Sequence, residues 1–85
     1  MTTLEIYTTK TCPFCVAAKR LLDKKGVTYT EIDVGAAPEI RQAMTKRAGG
    51  RTSVPQVFVG DIHIGGCDDL HAAEDNGTLE KLLAA

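Results

Sequence analysis

Apolar residues recur along this chain with two different periods, and the switches between them divide it into elements. Residues 3–8 alternate weakly around Leu4-Glu5-Ile6-Tyr7 and read as a buried strand. Over residues 13–25, Val16, Ala17, Leu21 and Leu22 fall at helical spacing, with Lys19, Arg20, Lys24 and Lys25 outside. Gly26 supplies the helix stop. Residues Val27 to Val34 alternate again and are rich in β-branched side chains, which predicts a second strand. A strand–helix–strand unit of this size implies a parallel pair joined by a right-handed crossover. Pro38 to Ala48 forms a second helix, with Ile40, Ala43, Met44 and Arg47 spaced for its inner face, and Gly49-Gly50 ends it.

Arg51-Thr52-Ser53 is a loop, and Val54-Pro55 leads into the run Gln56-Val57-Phe58-Val59. Gly60-Asp61 turns the chain into Ile62-His63-Ile64, so the two short runs make an antiparallel hairpin. Gly65-Gly66 breaks the strand. Asp68 or Asp69 then caps a short helix to about Asp75, Asn76-Gly77 turns, and Thr78 caps a last helix carrying Leu79, Leu82 and Leu83. The order β-α-β-α-β-β-α-α predicts an α/β fold, a four-stranded mixed sheet with helices on both faces. No repeat, linker or low-complexity segment interrupts it, and 85 residues leave room for one domain, 1–85.

Composition narrows the class. With 44% hydrophobic residues, a chain this short still builds a sufficient core. A net charge of −1 excludes a bulk preference for nucleic acid. Residues 10–51 nevertheless hold nine Lys/Arg against four Asp/Glu, and residues 52–85 hold one against six. Most of these charges read as solvated surface, but a basic rim near a reactive thiol would favour its thiolate and attract anionic thiols. No basic segment followed by an apolar run marks a signal peptide, and no run approaches the roughly 20 apolar residues of a membrane span. Three cysteines in such a chain point to catalytic thiols in the reducing cytoplasm.

The chemistry concentrates in Thr11-Cys12-Pro13-Phe14-Cys15, where the first strand pattern gives way to the first helix. Two cysteines separated by two residues at a strand-to-helix junction read as a thiol–disulfide exchange site. Positions i and i+3 lie on one helix face, close enough for the sulfurs to bond. Unpaired N–H groups and the positive end of the helix dipole stabilise a thiolate on Cys12. Pro13 fits the first helical position, where no N–H is needed. Cys12 is thus the exposed nucleophile and Cys15 the shielded resolving thiol. A zinc site would need two further ligands, and Cys67, His63 and His71 show no suitable pattern. A structural disulfide here would close too small a loop to stabilise much. His63 and His71 carry no catalytic signal, since exchange needs no base once the thiolate has formed.

Three motifs in order, Cys12-Pro13-Phe14-Cys15, Ser53-Val54-Pro55 and Gly65-Gly66-Cys67-Asp68-Asp69-Leu70, resemble those of the glutaredoxins, most closely the small bacterial dithiol members of the glutaredoxin 3 type. The resemblance covers nearly the whole chain. It implies a thioredoxin fold and glutathione-dependent reduction of protein disulfides and glutathione mixed disulfides, with glutathione as co-substrate and no permanently bound cofactor. It implies a cis Val54–Pro55 bond, with the Val54 backbone pairing strand-like with the cysteinyl part of glutathione, and Ser53 and Pro55 in the same wall. Gly65-Gly66 lets another backbone approach closely. A free N–H at Cys67 suits the α-carboxylate of the γ-glutamyl end, and the Asp68 carboxylate suits its α-amino group. Asp69 is then mainly a cap, and Cys67 acts through its backbone.

Two departures from the family pattern stand out. Phe14 replaces the usual Tyr, which keeps an aromatic wall beside Cys12 without its hydroxyl. The family's lysine for the glycine carboxylate stands where this chain has Thr9. Lys10 comes one residue later, and such a shift in an extended segment turns a side chain the other way. Arg51 is the alternative donor to that carboxylate. The partners implied are glutathione, glutathionylated proteins and reductases with an active-site disulfide, ribonucleotide reductase among them, served by a monomer. Two rivals are weaker. A thioredoxin-like redoxin fed by a flavin reductase does not explain the chain's small size, its lack of Trp or the Gly65–Asp69 stretch. A glutathione-ligated iron–sulfur carrier is disfavoured by Pro13, which stiffens the turn after the nucleophile.

Overall fold

The structure is a computed structural model and describes residues 3–84. Its elements are β1 (Leu4–Thr8), α1 (Pro13–Lys25), β2 (Tyr29–Asp33), α2 (Pro38–Arg47), β3 (Gln56–Val59), β4 (Ile62–Gly65), α3 (Cys67–Asp75) and α4 (Thr78–Ala84). The strands form one sheet in the order β2-β1-β3-β4. β1 pairs parallel with β2, Ile6 opposite Glu31, and antiparallel with β3, where Ile6 faces Val57. The hairpin β3–β4 completes the mixed sheet. Among the described residues no helix is long and apolar enough to cross a membrane.

Strand alternation sends apolar side chains to both faces. Leu4, Ile6, Val57 and Val59 pack with Ala18 and Leu22 of α1, Leu70 and Ala73 of α3, and Leu79 of α4. Tyr7, Val34 and Phe58 meet Met44 and Ala48 at the α2 end of the other face. That second patch is narrow, so α2 needs little apolar surface to cover it. The inner face expected for α2 is corrected accordingly: Met44 is fully buried, whereas Ile40 is 37% exposed and Ala43 is exposed. Arg47 lies over Phe58, its guanidinium 4.0 Å from the ring centre, and binds Glu5 at 2.8 Å and the Gly60 carbonyl at 2.8 Å. On α1 the buried line is Cys15, Ala18 and Leu22. Val16, one position round the helix, is 42% exposed rather than internal.

Boundaries also shift, and α2 ends at Arg47 with Ala48 as its C-cap. β2 is Tyr29–Asp33, shorter than the alternating pattern. β4 continues through Gly65, which pairs with Val57 beside an irregularity in the ladder, so the strand breaks after Gly65 and not at it. Thr78 is the first residue of α4 instead of its cap, because the Asn76 side-chain oxygen accepts the Thr78 N–H at 2.9 Å. Gly26 ends α1 as expected, in the left-handed conformation with φ 72°.

Candidate active site

Three segments remote in sequence converge beside the C-terminal end of β1: the start of α1, the loop before β3, and the start of α3. Cys12 is the N-cap of α1, in extended conformation, with Pro13 at the first helical position. Its sulfur accepts the Cys15 N–H at 3.1 Å, which pairs one of the donors a helix leaves free at its start. The helix dipole places further positive potential at that sulfur. On its other side Cys12 Sγ reaches the Val54 carbonyl at 3.6 Å. The Val54–Pro55 bond is cis.

The two thiols differ in environment. Cys12 is half-buried, whereas Cys15 is 1% exposed. Burial, reinforced by the hydrogen bond with Cys12, pushes the Cys15 thiol up to about 12. Cys15 therefore keeps its proton while Cys12 faces the exterior. Cys67 is also a free, buried thiol, raised by burial and then by the charges of Asp68 and Cys12. His71 Nδ1 donates to the Cys67 carbonyl at 2.8 Å and lies 3.6 Å from Cys67 Sγ. Among the described residues no group of three or more His, Cys, Asp or Glu side chains could hold a metal ion.

A cleft of about 370 Å³ opens beside Cys12, lined by Phe14, Arg51, Ser53, Val54, Pro55, Gly66, Cys67, Asp68 and Asp69. Every glutathione-binding candidate except Lys10 lines it. Lys10 borders a separate recess with Thr9, Thr11, Asp33, Gly35 and Ala36. Phe14 is 64% exposed and forms one wall. At the opposite end α3 begins at Cys67, with Gly66 in the capping position. Cys67 and Asp68 are its first two residues, so their N–H groups have no acceptor within the helix.

Asp69 is the residue whose place in the cleft was missed. Its Oδ2 accepts the Gly66 N–H at 3.0 Å and binds Arg51 Nη1 at 3.0 Å. The Gly66 hydrogen bond and then the Arg51 partner hold its carboxyl below the usual carboxylate range. The expected capping is corrected in position: the helix starts at Cys67, ahead of both aspartates, with Gly66 as its N-cap, and Asp69 reaches back to the Gly66 N–H from the third helical position. The three-residue spacing Gly66–Asp69 was the available signal. The tie to Arg51, across 18 residues, had none. Gly65 is also explained differently from expectation: a Cβ there would collide with Asp69, whose Cβ and Cγ would lie 2.8 and 2.7 Å away. At Gly66 an added Cβ would meet only Arg51 Nη2 at 3.4 Å and the Pro55 carbonyl at 3.5 Å, so this glycine is the one that keeps the cleft wall low.

The glutaredoxin family model matches residues 4–64. The chain belongs to the glutaredoxin family. Glutaredoxin of Pseudomonas aeruginosa is 51% identical over 80 residues, covering 94% of each chain. Glutaredoxin 3 of Escherichia coli is 49% identical over 83 residues, covering 98% of this chain and 99% of its own. The structure of a buckwheat glutaredoxin–glutathione complex superposes with a TM-score of 0.88 at 30% identity, covering 98% of this chain and 77% of that one. The fold is thus the thioredoxin fold of the glutaredoxins, and membership makes the chain a thiol–disulfide oxidoreductase.

Proposed function

We propose that this glutaredoxin reduces glutathione mixed disulfides and protein disulfides through Cys12, with glutathione as co-substrate and no resident cofactor. The observation that carries the reading is the cleft, in which Phe14, Arg51, Ser53, Val54, Pro55, Gly66, Cys67 and Asp68 meet beside the Cys12 sulfur. In the first step the Cys12 thiolate attacks the glutathione sulfur of a mixed disulfide. The old S–S bond breaks, the substrate leaves as a thiolate, and a Cys12–glutathione disulfide remains. A second glutathione thiolate attacks the glutathione sulfur of that intermediate, forming oxidised glutathione and restoring Cys12. With a protein disulfide, Cys15 attacks the Cys12 sulfur of the enzyme–substrate disulfide. Its proton passes to the departing thiolate, and two glutathiones then reduce Cys12–Cys15.

Each group has a task in this scheme. The helix N-terminus and the Cys15 N–H stabilise the Cys12 thiolate as attacker and leaving group. The buried Cys15 thiol stays protonated and does not compete for the mixed disulfide. The Val54 backbone aligns the glutathione cysteine, Arg51 takes the glycine carboxylate, and the start of α3 with Asp68 takes the γ-glutamyl end. Lys10 reaches the glycine carboxylate only if its long stem bends out of its own recess. The same reading has a single domain, 1–85, act as a monomer in the cytoplasm on glutathionylated proteins and disulfide-bearing reductases such as ribonucleotide reductase.

The test is turnover of a small glutathione mixed disulfide with glutathione, glutathione reductase and NADPH. Wild type and Cys15→Ser are expected to be active and Cys12→Ser inactive. Activity surviving in Cys12→Ser would refute the mechanism. Wild-type turnover only with a flavin-dependent thioredoxin reductase would favour the redoxin alternative.

A further inference from the structure

We infer that Gln56 and His63 are positioning residues, which clamp the Ser53 carbonyl from inside the sheet and so fix the Ser53–Val54–Pro55 edge against which the glutathionyl group is held. The inference rests on the reading of the cleft just given.

Gln56 follows Pro55 directly and is the first residue of β3. It is a polar side chain at 0% exposure. Burying an amide is unfavourable unless each of its polar atoms is paired. Here all are paired. Nε2 donates to the Ser53 carbonyl at 3.0 Å and lies 3.4 Å from Ser53 Oγ, and Oε1 lies 2.7 Å from His63 Nε2. The polarity of this chain is fixed. An amide turned the other way would set its oxygen against the Ser53 carbonyl, so His63 must supply the proton on Nε2. Burial, and then the facing positive charge of Arg51, holds His63 below its ordinary range, opposed by Asp69 and assisted by Arg47. The neutral ring then carries its single proton on Nε2.

His63 is itself held. It pairs with Phe58 across the β3–β4 ladder, and its ring stacks on Phe58 with centroids 4.7 Å apart and planes at 25°. The line from the sheet to the nucleophile is therefore His63, Gln56, Ser53, Val54 and Cys12 Sγ, each in contact with or bonded to the next. Gln56 does not line the cleft, so its effect on substrate passes through Ser53 and Val54.

The test uses four full-length variants. Gln56→Leu keeps the volume and removes both bonds. Gln56→Glu keeps the shape but sets a carboxylate oxygen against the Ser53 carbonyl. His63→Phe keeps the stack without the donor, and His63→Gln restores an N–H donor. Steady-state kinetics with a glutathione mixed disulfide are compared with the rate of Cys12 alkylation by iodoacetamide, which needs no cleft. Gln56→Leu, Gln56→Glu and His63→Phe are expected to raise KM about tenfold, the scale of one buried hydrogen bond. Their kcat and alkylation rates should stay within about twofold of wild type, and His63→Gln should recover most of the KM. An unchanged KM in Gln56→Leu and His63→Phe, both folded, would overturn the inference. So would kcat falling in parallel with alkylation, which would mark general loss of structure. Absence of glutathione turnover in wild type would instead overturn the reading of the cleft itself.

Discussion

Replacing Gly65 by Ala tests whether the α3 end of the cleft is held as the structure has it. Gly65 is buried at φ 122°, a backbone conformation that side chains rarely adopt. Its missing Cβ leaves room for the Asp69 side chain, which at that moment holds both the Gly66 N–H and Arg51. An alanine therefore adds two penalties. The strained backbone costs about 1–3 kcal/mol. Displacing Asp69 forfeits the helix cap, about 0.5–2 kcal/mol. The total is about 3 kcal/mol, a large share of the roughly 4–13 kcal/mol expected for 85 residues.

Gly49→Ala is the control, because Gly49 has φ 66° and open space around it, so only the left-handed strain of about 1–2 kcal/mol applies. Urea unfolding of both variants gives the comparison. The double variant Gly65→Ala/Asp69→Gly removes the colliding atoms and should be less destabilised than the two single changes predict by about 1 kcal/mol or more. Equal destabilisation by Gly65→Ala and Gly49→Ala, together with simple additivity in the double variant, would refute the packing of Asp69 over Gly65.

Four further outcomes are expected. Iodoacetamide at neutral pH should modify Cys12 and spare Cys15, whose thiol is buried and raised to about 12; peptide mapping showing equal labelling would contradict this. Arg47→Lys should lower stability by about 1–2 kcal/mol in urea titration, because a single ammonium cannot hold Glu5 and the Gly60 carbonyl while lying flat on Phe58; a midpoint matching wild type would refute it. Asp69 is depressed in the folded state, so its contribution is present above its unfolded pKa and lost as pH falls through the folded one. Asp69→Asn should thus be less stable than wild type at neutral pH and converge with it only as the pH falls below the depressed carboxyl of the folded state, and a stability gap independent of pH would exclude the charge as its source. Arg51→Lys should raise KM for a glutathione mixed disulfide, since one point charge cannot bind Asp69 and also face a substrate carboxylate; kinetics identical to wild type would remove Arg51 from that role.

The parts of the fold written in local chemistry were legible in the sequence. Pro13 and Gly26 bracket α1 at its observed ends, and the Gly60-Asp61 turn marks the hairpin. The Cys12–Cys15 spacing alone places a sulfur over a helix N-terminus. What escaped depended on partners distant in the chain. The shielding of Cys15 was legible, but Val16 was placed inside because hydrophobicity alone does not show that the sheet meets the Cys15, Ala18 and Leu22 face of α1. The inner face of α2 was overestimated because only a small apolar patch of Tyr7, Val34 and Phe58 awaits it. Gln56 reads as an ordinary strand residue until His63 and Ser53 are seen at its two ends. Lys10 looked close to the cleft in sequence, but the turn into α1 carries it to a separate recess.

Adjacent aspartates do different work because a helix rotates each residue about 100° from the last. Asp69, at the third position of α3, points back over Gly65 and Gly66, where Arg51 neutralises it. Asp68 lines the cleft and, among the described residues, enters no ion pair. Beside it lie the N–H groups of the first turn, which favour an anion. One small region thus offers a carboxylate and a set of anion-binding donors side by side. A phosphate or a simple dicarboxylate gains the donors but is repelled by Asp68, and a simple cation gains Asp68 but meets the positive helix end. A group carrying an ammonium and a carboxylate on one carbon satisfies both. That complementarity, more than the cysteine pair, is what would separate a glutathione-using exchange enzyme from a general dithiol reductant on the same fold.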